Sequence, residues 1–185
     1  MARQSMNHSA VNKQHRKRAA IVGIAVLLAI ILSAYLIARL NRDRETANRV
    51  KCNKQMRALG QAMFLYANEY RGAWPPALKD LILTQDISPA FFICPSSSDT
   101  RAPGVYTQAA ASLSSGGHLS YVYIGQKMTG WPDPALVVMY EPMTNHGDGF
   151  HALFADGHNE FLSGPLAQKI QSELQSGQNP PPSHR

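Results

Sequence analysis

Residues 19–38 read AAIVGIAVLLAIILSAYLIA, twenty consecutive positions without a charge, directly behind the basic cluster His15-Arg16-Lys17-Arg18. At about 1.5 Å of rise per residue this run makes a helix of roughly 30 Å, the thickness of a bilayer's hydrocarbon core. A helix is also the only way for a lone segment to satisfy its backbone hydrogen bonds in lipid. Ile, Leu, Val and Ala cover every face of the run, which argues against a core helix with one apolar stripe. A cleaved secretory signal has a shorter apolar region, about 7 to 15 residues, and ends at a small-x-small site. The run therefore predicts a membrane anchor, with lipid as its first partner.

Charge divides the chain in the same place. Residues 1–18 carry five Lys/Arg and no acid, residues 39–57 carry seven against Asp43 and Glu45, and residues 58–185 carry six against ten acids. The net charge of +6 thus belongs to the two membrane flanks, and the remainder is acidic. Such flanks orient a span and attract anionic headgroups. A nucleic-acid binder needs a basic face on its folded part, so that class is excluded. Positive residues on both sides leave the positive-inside count undecided.

Beyond the anchor, residues 39–72 extend the helix without a proline. Cys52, Met56, Leu59, Met63, Tyr66 and Tyr70 recur at intervals of four, three, four, three and four, one apolar stripe. Gly60 interrupts it as a weak point, and Arg71-Gly72 before Trp74-Pro75-Pro76 ends it. Residues 73–164 then predict one small domain: a short helix at 77–83, an irregular Ser-, Pro- and Gly-rich connection at 88–117, and strands at 119–124, 136–141 and in a hairpin over 150–162. Asp156-Gly157 is a two-residue turn signal. It pairs Ala155 with His158, Leu153 with Glu160 and Ala152 with Phe161, so that Phe150, Ala152, Phe154 and Phe161 share the face that covers the long helix. Residues 1–18 read as an irregular basic cytoplasmic or leader segment. Residues 165–185 read as a helix end and a loose Pro-rich tail. The fold class is α+β, a long N-terminal helix packed on a small antiparallel sheet.

Cys52, Arg57, Leu59, Gly60, Ala62, Tyr66, Ala67, Asn68 and Tyr70 on the helix, Trp74-Pro75-Pro76 after it, Ile93-Cys94-Pro95-Ser96, and His146 nine residues before Asp156-Gly157 together resemble type IV pilin-like and type II secretion pseudopilin-like proteins. The likeness is to the bacterial group with a C-terminal His-(nine residues)-Asp-Gly motif, here His146, Asp156 and Gly157. The resemblance implies a pilin-like fold in the bacterial inner membrane, one pass, N-terminus cytoplasmic and domain outside. It implies a non-catalytic structural or accessory subunit of a secretion or pilus-type apparatus, with other pilin-like subunits as partners of its helix. The family's Phe-Thr-Leu-Ile-Glu-like head, cut by prepilin peptidase, is replaced by Arg18-Ala19-Ala20-Ile21-Val22-Gly23, with no carboxylate in the span. That departure leaves a second reading, a stand-alone membrane-tethered binding module of pilin-like fold. His151 also stands where the group often has Asn. On the outer side a disulfide persists, and Cys52 with Cys94 forms either that bridge or two buried thiols.

Glu141, His146, Asp148, His151, Asp156 and His158 crowd into 18 residues. His and carboxylate donors suit a transition metal, and the oxygens alone suit calcium. The hairpin separates His151 from His158, which leaves Glu141, His146, Asp148 and Asp156 as the candidate ligand set. The plainer reading makes Asp156-Gly157 the turn and His146 a packed residue at the strand entry, with no cofactor. Catalytic signatures are missing: no Gly-x-Ser-x-Gly, no phosphate loop, no Cys-x-x-Cys, and no base beside Ser96, Ser97 and Ser98.

Overall fold

The computed structural model describes residues 2–113 and 115–184. Helix α1 (Ala2–Glu69) opens the chain, followed by α2 (Lys79–Thr84), α3 (Thr107–Leu113), β1 (Val122–Tyr123), β2 (Val137–Tyr140), β3 (Gly149–Phe154), β4 (Asn159–Ser163) and α4 (Gly164–Gln175). The chain divides into two units, Met1–Arg44 and Glu45–Arg185.

In the first unit the basic leader, expected as irregular, is helical from Ala2. Ala, Arg, Lys, Gln and Met are good helix formers, and no glycine precedes Gly23. Apolar side chains from Ile21 to Leu40 are exposed. Among the described residues α1 alone is long and apolar enough to cross a membrane.

The second unit is an α+β domain. Its sheet has the order β1-β2-β3-β4, every pair antiparallel. The stripe on α1 packs as its spacing predicts: Cys52, Met56, Leu59, Met63 and Tyr66 are buried. Tyr70 is instead half exposed and stacks on Tyr66, with centroids 4.0 Å apart. Gly72 N–H donates to Ala67 O and Arg71 takes φ +56°, a Schellman ending whose left-handed residue is Arg71.

The hairpin lies where Asp156-Gly157 placed it, but its register is shifted by one residue. His151 faces Phe161, Ala152 faces Glu160 and Phe150 faces Leu162. Gly157 N–H donates to Phe154 O, and Phe154 N–H to His158 O. The loop is therefore Ala155-Asp156-Gly157, three residues with Gly157 in the left-handed position at φ +87°. Asp156 Oδ1 accepts from His158 N–H at 3.0 Å and braces the turn. Because side chains alternate, one residue of slip exchanges the faces of β4. Phe161 now lies beside His151 on the α1 side, and Leu162 joins Phe150 on the other.

That other face has a cover the sequence did not predict. Phe150, Ala152, Phe154 and Leu162 pack with Ala167, Ile170 and Leu174 of α4, whereas Val138, Met139 and Leu153 pack with α1. The sheet is thus the middle of three layers. A bulge between Val137 and Met139 reconciles the two faces of β2. The tail, expected to be loose, is docked: Asn179 brackets Val137, accepting from its N–H at 2.9 Å and donating to its O at 2.8 Å. His184 packs at a tilt on Phe154, with ring centroids 4.8 Å apart, and Ser183 bonds Glu173; Arg185 lies outside the described residues. The 88–117 connection contains α3, whose Ala109, Ala110 and Leu113 are buried.

Gly157→Val should lower stability by about 1–3 kcal/mol, since a β-branched residue is strained at positive φ. A Cβ there would also sit 2.7 Å from Phe64 Cε2. Thermal melting checks this, and an unchanged midpoint would contradict the loop geometry.

Candidate metal centre

Where α1 crosses the open end of the sheet, three stretches of chain converge. Helix α1 brings Glu45, Asn48, Arg49 and Cys52, spaced by three, four and seven residues from Glu45 and therefore on one face. Cys94 follows the short turn Pro89–Phe92, and its carbonyl accepts from Ser97 N–H at 3.0 Å and Ser97 Oγ at 2.9 Å. The β2–β3 link brings the rest. Glu141 continues β2, its N–H donating to His151 O, and His146 closes the turn Met143–Asn145 before Gly147 at φ +78° redirects the chain into β3.

Cys52, Cys94, Glu141 and His146 are all buried, and one donor atom from each lies within 4.8 Å of all the others. Cys52 Sγ donates to Glu141 Oε2 at 2.9 Å, and His146 Nε2 lies 3.2 Å from Glu141 Oε1 and 3.5 Å from Cys94 Sγ. In this structure both cysteines are free, buried thiols.

An outer ring orients these groups. His146 Nδ1 meets Glu45 Oε1 at 2.5 Å, and Ser96 Oγ donates to Glu45 Oε2 at 2.7 Å. His151 holds Glu141 Oε1 twice, through its backbone N–H at 2.8 Å and Nδ1 at 2.5 Å. Tyr121 OH touches Cys52 Sγ at 3.3 Å and donates to Gln55 Oε1. Arg49 pairs with Glu45 and Asp148 and lies over the Phe161 ring.

The electrostatics follow from this packing. Burial opposes ionisation of Glu141, but hydrogen bonds from His146, His151 and Cys52 outweigh it and hold the carboxyl below its usual range. Burial likewise opposes protonation of His146, and contacts with Cys94, Glu141 and Glu45 raise it to about 10. A hydrogen bond from Cys52 pulls Cys94 down to about 6 against its burial, while the same bond and burial push Cys52 up. The pair therefore favours one thiolate, on Cys94, beside an imidazolium.

Of the four ligands expected from sequence, the structure brings Glu141 and His146 together. Asp148 instead faces outward on Arg49, and Asp156 sits in the hairpin turn against His158 Nδ1 at 2.6 Å. Sequence spacing misled there, since nearness along the chain is not nearness across a turn. Cys52 and Cys94 take their places, and Glu45 was not foreseen, although its two-turn spacing from Cys52 is visible on the helix. Cys94, His146 and Glu45 also stand in the order of nucleophile, base and orienter. Cys94 is fully buried, however, which closes its sulfur to a substrate.

The chain matches no protein-family model, no curated protein and no solved structure.

Proposed function

We propose that the protein is a membrane-anchored, pilin-like, non-catalytic structural or accessory subunit of a bacterial secretion or pilus-type envelope apparatus, with its N-terminus cytoplasmic and its domain outside. The observation that carries this is the exposed apolar run of α1, from Ile21 to Leu40, on the same helix whose later residues close the core of an α+β domain. In this reading lipid and the helices of like subunits cover that run. The absent carboxylate and the buried Cys/His/Glu cluster favour a second reading, a stand-alone tethered module that holds a ligand.

Leu28→Arg at mid-span should cost roughly 2.5–3.5 kcal/mol of insertion energy and release protein from the membrane fraction. Undiminished membrane retention would remove the anchor. A photo-crosslinker at Leu28 then separates the two readings: adducts with another pilin-like chain support the subunit, and adducts with lipid alone support the module.

A further inference from the structure

We propose that Cys52, Cys94, Glu141 and His146 form a closed structural zinc site that ties α1 to the end of the sheet. Two thiolates and an imidazole are soft and borderline donors, which select zinc over the oxygen-seeking calcium and magnesium. Zinc bonds of about 2.0–2.3 Å make tetrahedron edges of about 3.3–3.8 Å. The present separations, 2.9, 3.2 and 3.5 Å with none above 4.8 Å, bracket that range, so small side-chain shifts complete the polyhedron. Four protein ligands leave no open position, the mark of a structural rather than a hydrolytic zinc.

The surrounding contacts support the same assignment. A ligating histidine usually gives its other ring nitrogen to a carboxylate, which fixes ring orientation and raises donor strength. Glu45 holds His146 Nδ1 in that way and leaves Nε2 facing Cys94 and Glu141. His151 orients Glu141, and Tyr121 reaches Cys52. Binding would release the remaining thiol proton, on Cys52, and the proton of His146 Nε2, with no change of oxidation state. It also excludes a Cys52–Cys94 disulfide, which would consume both sulfur donors, so bridge and metal are alternative states of one site. The inference is independent of the membrane reading.

The test is full-length protein purified in detergent under anaerobic conditions without chelator, assayed for metal and then exchanged with cobalt. One zinc per chain and thiolate-to-cobalt charge-transfer absorption are expected, and chelation should lower the thermal midpoint. Cys94→Ser and His146→Ala should each abolish stoichiometric binding. Because those variants test folding too, Glu45→Gln is the second arm: it touches no metal and should weaken zinc affinity about 10–100-fold while one site per chain remains. A folded wild type that takes up no added zinc with both thiols titratable would overturn the proposal. So would quantitative recovery of a Cys52–Cys94 linked peptide from freshly isolated protein.

Discussion

Glu141→Ala should destabilise the domain by about 3–5 kcal/mol, the cost of removing one partner from a buried ion pair and leaving the other charge behind. Glu141 is fully buried, and its two oxygens serve His146, His151 and Cys52 at 2.5–3.2 Å. Truncation takes from His146 its fully buried carboxylate partner, leaving it Glu45 and Cys94, and leaves the buried backbone N–H of His151 without its acceptor. At about 2–4 °C per kcal/mol for a chain of this size, the midpoint should fall by about 6–20 °C. Glu141→Gln separates the two causes, since the amide oxygen still accepts from His151 N–H while the charge is gone. A fall of only a degree or two in the alanine variant would mean that Glu141 is not the hub of the network.

The features that were legible in the sequence are those set by local periodicity. The charge-free run at 19–38 and the stripe from Cys52 to Tyr66 need no knowledge of distant contacts; both appear as helix, with the apolar side chains exposed from Ile21 onward and the stripe buried. The hairpin was legible in position but not in register, because Asp-Gly serves both two- and three-residue loops. The choice falls to packing: only the longer loop puts Leu162 under Ile170 and Ala167 while Phe161 meets His151 and Arg49. Helix α3 was hidden because its Ala and Ser residues carry no strong pattern, and its burial comes from packing with α2.

The site was half legible for the same reason. His146 and Glu141 stood out by residue type, and Cys52 and Cys94 as a pair. What joins the two pairs is the crossing of α1 over the sheet end, a long-range contact that spacing along the chain does not encode. Asp148 and Asp156 were attractive by proximity in sequence, yet Gly147 and the hairpin turn carry them to the surface.

That crossing is itself testable at the point where helix and strand approach most closely. Leu153, on β3, is buried at 1% exposure, and a Cβ built on Gly60 of α1 would lie 3.1 and 3.2 Å from its two methyl carbons. The glycine that looked like a weak point in the helix is thus where β3 inserts a leucine against bare backbone. Leu153→Ala should cost about 2–5 kcal/mol, because Met56, Leu59 and Met63 hold α1 in place and keep the cavity from collapsing. Adding Gly60→Ala to that variant should restore stability, since the new methyl enters the vacated space and alanine gains about 1 kcal/mol over glycine in a helix. In the wild-type background the same methyl must push Leu153 aside, which offsets that gain. The two substitutions are therefore non-additive by more than the roughly 0.5 kcal/mol expected of independent sites, and equilibrium unfolding of the four chains measures it. Strict additivity would mean that Gly60 and Leu153 do not touch, and that α1 sits on the sheet in some other register.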